Sequence, residues 1–142
     1  MQMPREGKAL EHKDLTILIV EDLRPMRRII RNTLRHFGFT TILEAQNGME
    51  AIGILASTNV GLIISDWNMP EMSGLDLLKC VRSDKRTMDT PFIMVTAQAF
   101  EEPVTQAAEA KVNSYIVKPF KPDTLIKKLE EILPPDQSIT RS

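Results

Sequence analysis

Residues 15–38 read LTILIVEDLRPMRRIIRNTLRHFG, and the two halves of this stretch follow different rules. Leu15–Val20 is apolar nearly throughout and rich in β-branched residues, the pattern of a strand covered on both faces. After Glu21-Asp22 the period changes. Met26, Ile29, Ile30, Thr33, Leu34 and Phe37 fall at helical spacing on one side of the segment. Pro25 suits the first turn of that helix and Gly38 its C-terminal stop. A buried strand feeding an amphipathic helix is the repeating unit of α/β architecture.

The unit recurs downstream. Short apolar runs at Thr41–Ala45, Gly61–Ser65, Phe92–Val95 and Ser114–Val117 alternate with helical stretches at Met49–Ala56, Gly74–Arg82, Pro103–Ala110 and Pro122–Leu133. Five strand-then-helix repeats predict a doubly wound, five-stranded parallel sheet, a (βα)5 flavodoxin-like domain spanning residues 15–133. Residues 1–14 are polar and aperiodic, with Pro4 and Gly7, and read as a flexible N-terminal arm; Pro134-Pro135 ends the last helix and opens a polar tail, 134–142.

The totals narrow the function classes. The chain has 142 residues and a formal net charge of −1, so no global basic field points to nucleic acid or a membrane surface. Its one cysteine, Cys80, excludes an intrachain disulfide and a cysteine-built metal cluster. No apolar run approaches the ~18 residues of a membrane span, and the N-terminus lacks a signal-peptide core, so a cytoplasmic protein is expected.

In open parallel sheets, sites form beyond the carboxyl ends of the strands. Glu21-Asp22 follows the first strand, Asp66 the third, Thr96 the fourth and Lys118-Pro119 the fifth. Three carboxylates on one rim repel; a pair at 4 Å costs roughly 4 kcal/mol at an effective dielectric of 20. A hard divalent cation such as Mg2+ offsets that charge and shares its remaining positions with phosphate oxygens. Lys118 adds a fixed positive charge, and Thr96 a hydroxyl able to donate to a phosphoryl oxygen. Asp66, alone at the end of a central strand and followed by Trp67-Asn68-Met69-Pro70, is the candidate nucleophile for an acyl phosphate. Taken singly, each residue has a plainer reading: Asp66 as a turn or cap, Glu21-Asp22 as favourable charge at a helix start, Thr96 as a strand-end hydroxyl, Lys118 as a surface charge.

The motifs LIVEDLRPMRR, ISDWNMPEMSG, MVTAQ and YIVKPF, in this order over residues 15–133, resemble the receiver domain of bacterial response regulators, particularly its chemotaxis members. That resemblance implies that Asp66 accepts a phosphoryl group from a histidine kinase. It implies that Asp22 and Asp66 ligate Mg2+ with the backbone carbonyl of Asn68, and that Glu21 reaches the ion through water. It makes Thr96 and Tyr115 the switch residues, Lys118 the phosphate-pairing lysine and Pro119 the residue after a cis peptide bond. The implied protein is a monomeric regulator, not a turnover enzyme, that changes affinity for a partner such as the flagellar motor switch. A phosphate shuttle or an adaptor for another signalling protein is the alternative output.

The sequence departs from that pattern on the output side. Gln98, Phe100 and Glu101 stand where the enteric chemotaxis regulator carries Glu, Lys and Lys, a charge inversion on a segment that helps that regulator bind its partner. Lys111-Val112-Asn113 replaces a glycine-containing turn; Asn113 tolerates the left-handed conformation such a turn needs. Lys121 replaces a helix-capping hydroxyl, partly compensated by Pro122. Arg24, Arg27, Arg28, Arg31 and Arg35 form a stripe on the first helix, read either as a solvated face or as a docking surface for an acidic kinase partner; DNA binding lacks a paired dimer signal. Two other chemistries fit poorly. A covalent Mg2+-dependent phosphatase needs an acid where Asn68 stands, and an FMN carrier needs a hydroxyl-rich loop where EDLRPM stands.

Overall fold

The computed structural model describes residues 14–97 and 110–133. Five parallel strands, β1 (Thr16–Val20), β2 (Thr41–Ala45), β3 (Leu62–Asp66), β4 (Phe92–Thr96) and β5 (Ser114–Val117), form one sheet in the order β2-β1-β3-β4-β5. The described helices are α1 (Arg24–His36), α2 (Gly48–Ser57), α3 (Gly74–Ser83) and α4 (Pro122–Ile132). The helix expected at residues 103–110, except for Ala110, which is in a turn, the arm up to residue 13 and the tail from residue 134 lie outside the described residues.

Two-residue alternation along each strand divides the core into two layers. Ile17 and Ile19 of β1, Ile64 of β3 and Ile93 and Val95 of β4 face Ile30 and Leu34 of α1 and Leu125, Ile126 and Leu129 of α4. Leu18 and Val20, Ile63, and Phe92 and Met94 face Ala51 and Leu55 of α2 and Leu77, Leu78 and Val81 of α3. Because both faces are covered, β3 and β4 are buried at every residue, which is why their sequences are apolar without alternation until the polar residues at their carboxyl ends. β3 and β4 each extend one residue beyond the expected run, so Asp66 and Thr96 are the last residues of their strands rather than the first beyond them.

Local chemistry sets the helix ends. Asn47 accepts the Glu50 amide at 2.8 Å to cap α2, and Ser73 and Asp76 cap each other's amides at the start of α3. α1 and α4 lack a side-chain cap but carry proline in the first turn. Gly38, at φ 101°, lets the chain leave α1.

Two expectations need correction. Ile29 shares the apolar spacing of α1, yet it is 52% exposed; Ile30, Thr33 and Leu34 form the buried stripe, and Ile29 lies on its outer side. In the turn before β5, Lys111 and not Asn113 takes the left-handed conformation, at φ 65°. Asn113 is otherwise engaged: its Oδ1 accepts the Phe92 amide at 2.7 Å and the Arg82 guanidinium at 2.9 Å. Arg82 also donates to the carbonyls of Met88, Thr90 and Lys111, so one rigid fork joins α3 to the bases of β4 and β5.

Gly74 brings α3 against the end of β3. A Cβ at this position would collide with the Asp66 carbonyl oxygen and sit 2.7 Å from the Met94 sulfur and 3.0 Å from Trp67 Cα. Two of these three atoms are backbone, so the clash cannot be relieved by a rotamer change. Gly74→Ala is expected to destabilise the fold by about 1–3 kcal/mol in denaturant unfolding and to shift the emission of Trp67; a neutral substitution with unchanged emission would refute this close approach.

Candidate functional site

Between β1 and β3 the connections run to opposite sides, α1 leading outward to β2 and α3 to β4, and this opens a crevice at the carboxyl ends. The acidic residues gather there. Glu21 follows β1 and is 1% exposed. Its amide donates to the Ala45 carbonyl at 3.0 Å, continuing the β1–β2 ladder, and its carbonyl accepts from Arg27 at 2.8 Å. Its Oε2 accepts the Leu23 amide at 3.2 Å. Asp22 is exposed, and among the described residues no hydrogen bond or ion pair engages its carboxylate.

Asp66 ends β3 and is 6% exposed. The Trp67 amide donates to Val95 of β4 at 2.8 Å, and the Gly74 amide to the Trp67 carbonyl at 2.8 Å, which fixes the chain on both sides of the turn. Thr96 ends β4 and is also buried; its carbonyl accepts the Lys118 amide at 2.7 Å. A cis peptide bond joins Lys118 to Pro119. The Lys118 ammonium bridges Glu21 Oε1 at 3.1 Å and Asp66 Oδ1 at 3.2 Å.

Glu21, Asp22 and Asp66 each offer an oxygen within 4.8 Å of the others'. Burial and the Asp66 charge push the Glu21 carboxyl above its ordinary value, against the pull of Lys118. Burial, with a further contribution from Asp22, likewise raises Asp66 despite Lys118. Burial alone would lower Lys118, but the carboxylates of Asp66 and Glu21 outweigh it and hold its pKa up. One ammonium among three acids leaves a surplus of negative charge and clustered oxygen donors, a set that suits a hard divalent cation.

The structure thus brings together Glu21, Asp22, Asp66 and Lys118, with Thr96 on the adjoining strand end. Asn68 is exposed two residues past Asp66. Tyr115 is not part of the cluster: it lies earlier on β5, opposite Met94, and is 37% exposed. The arginine stripe divides. Arg27 and Arg31 turn to Glu44 of β2 at 3.1 and 3.6 Å, while Arg24, Arg28 and Arg35 are exposed. Arg27 therefore supports the site through the Glu21 carbonyl, a role that periodicity could not reveal because its partners come from other elements. Gln98, Phe100 and Glu101 lie outside the described residues. No described helix is long and apolar enough to cross a membrane.

Comparison with known proteins places this chain among relatives. Residues 17–130 match the response regulator receiver domain. The chain is 48% identical to the chemotaxis protein CheY of Pseudomonas aeruginosa, covering 83% of this chain and 95% of that protein. It is 49% identical to the chemotaxis protein CheY1 of Helicobacter pylori, over 84% of this chain and 97% of the other. Among solved structures, the chemotaxis response regulator CheY4 of Vibrio cholerae superposes with a TM-score of 0.80 at 32% identity, covering 84% of this chain and 99% of its own.

The raised Asp66 pKa has a consequence for stability. The folded chain binds the Asp66 proton more tightly than the unfolded chain, so ionising Asp66 costs stability as pH rises from its ordinary 3.8 through the raised value. With chelator at neutral pH, Asp66→Asn is expected to raise Tm by about 2–4 °C, Lys118 keeping Glu21 as partner. The gain should shrink as pH falls through that window, where Asp66 itself becomes neutral. A lower Tm for Asp66→Asn at neutral pH would contradict the assignment.

Proposed function

We propose, from the premise that the chain belongs to the response regulator receiver domain family, that it is a phosphorylation-controlled switch whose phosphoacceptor is Asp66. The observation that carries this reading is the buried Asp66 carboxylate at the end of β3, 3.2 Å from the Lys118 ammonium and clustered with Glu21 and Asp22. An Asp66 oxygen attacks the phosphorus of a phosphohistidine on a histidine kinase. The O–P bond forms as the N–P bond breaks, and the imidazole leaves with the electron pair. Mg2+, held by Asp22, Asp66 and the backbone carbonyl of Asn68, with Glu21 reaching it through water, would offset the charge that accumulates on the oxygens.

Lys118 is already beside the acceptor and can transfer its ion pair to a phosphoryl oxygen with little movement. The Thr96 hydroxyl, at the end of the strand that pairs with β3, donates to a second phosphoryl oxygen, and Tyr115 swings inward as Thr96 moves. Swinging a two-state equilibrium from 1:99 to 99:1 takes about 5.5 kcal/mol of differential contact, within reach of a few charge-assisted hydrogen bonds. Asn68 leaves no general acid where a phosphatase would need one, so the chain acts as a regulator, in the cytoplasm, and not as a turnover enzyme. That the relatives at 48–49% identity are named chemotaxis proteins supports the flagellar motor switch as the partner. A phosphate shuttle or signalling adaptor is the second reading, favoured by the changed charges at Gln98, Phe100 and Glu101.

Incubation with Mg2+ and a small acyl phosphate, followed by intact-mass measurement, should add one phosphoryl group. Asp66→Asn and chelation of the metal should each abolish the addition. An unlabelled wild-type chain, under conditions that label a control receiver, would refute the reading. A pull-down with a motor-switch protein, with and without a phosphoryl mimic, separates the two outputs: phosphorylation-dependent capture supports the first, and no capture in either state supports the second.

A further inference from the structure

Glu21 and Asp22 are adjacent acids with opposite circumstances. Asp22 is exposed, with a carboxylate that makes no hydrogen bond or ion pair among the described residues. Glu21 is buried and held at four points: its amide by Ala45, its carbonyl by Arg27, its Oε2 by the Leu23 amide and its Oε1 by Lys118. A carboxylate with both oxygens committed to protein donors is built to hold something in place. The group it holds is the Lys118 ammonium, which it shares with Asp66.

We propose that Glu21 is a positioning residue for Lys118, keeping the ammonium bridged between two carboxylates so that it does not collapse onto Asp66. The inference rests on the reading of Asp66 as an acceptor beside a divalent cation. An ammonium and a divalent cation compete for the same Asp66 oxygens, so a lysine drawn partly aside leaves them more available. Side-chain length matters here. Aspartate at position 21 would fall short by one carbon–carbon bond, about 1.5 Å, and could not keep the 3.1 Å contact with Lys118 from the same backbone. The backbone cannot move to compensate, because the ladder bond to Ala45 and the Arg27 contact pin it.

A double-mutant cycle on Mg2+ affinity tests this without any phosphorylation readout. Trp67 is the sole tryptophan and adjoins Asp66, so its emission reports occupancy of the site. Glu21→Asp keeps the charge and loses the reach; Lys118→Met keeps the stem and loses the ammonium. Glu21→Asp should weaken Mg2+ binding by about fivefold in the wild-type background and by less than about twofold in the Lys118→Met background. Glu21→Gln keeps the length and an acceptor oxygen, so its coupling to Lys118 should be smaller than that of Glu21→Asp, and this second cycle decides the matter should Glu21→Asp fail to fold. Equal weakening in both backgrounds would show that Glu21 acts only through metal-bound water and would overturn the proposal, as would an unchanged affinity. Absence of any saturable Mg2+ response in the wild-type chain would instead overturn the acceptor-site reading beneath it.

Discussion

The Lys118 ammonium, bridging Glu21 and Asp66 at 3.1 and 3.2 Å, is the interaction on which the carboxyl end of this sheet depends. Two nearly buried acids and a third exposed one meet there, and desolvation alone would drive the buried pair towards neutrality. One lysine from the edge strand limits that tendency. Its own charge is secured by the same two carboxylates, which more than cancel the effect of its burial. The balance is incomplete by design of composition: three acids and one ammonium leave the cluster short of positive charge.

The sheet makes that balance possible. β1, β3 and β5 deliver Glu21, Asp66 and Lys118 to one rim, because parallel strands point all their carboxyl ends the same way. Helices on both faces exclude water from the strands, so the ends of β3 and β4 are buried even though they carry polar groups. Supporting contacts then remove slack. Arg27 ties α1 to the Glu21 carbonyl and to Glu44, Gly74 allows α3 to close on the Asp66 carbonyl, and Arg82 joins α3 to the bases of β4 and β5. The site is therefore rigid in its backbone, and the exposed Asp22 borders it.

Much of this was legible from residue order. Apolar runs marked β1, β3 and β4 because both faces are buried, and the change to helical spacing after Asp22 marked α1. Acids and a lysine at strand ends marked the site because parallel topology leaves those ends on one side. Errors arose where a residue's partner is distant in sequence. Ile29 fits the apolar spacing of α1, yet the sheet covers only the side occupied by Ile30 and Leu34. Asn113 has the right chemistry for a left-handed turn, but bonds to Phe92 and Arg82 claim its side chain, and Lys111 takes that conformation.

The sequence by itself determined the doubly wound parallel architecture and which titratable residues share its rim, since both follow from local periodicity and from the direction of parallel strands. Only the tertiary structure decided how those residues divide their contacts. Glu21 and Asp22 are neighbours with equal charge, but the β1–β2 ladder and Arg27 turn Glu21 inward to Lys118 and leave Asp22 outside. Likewise the arginine stripe reads as one feature along α1, and Glu44 on β2 selects Arg27 and Arg31 from it. Burial and pairing are properties of neighbours in space, and those neighbours lie 17 residues away for Arg27 and Glu44 and 97 for Glu21 and Lys118.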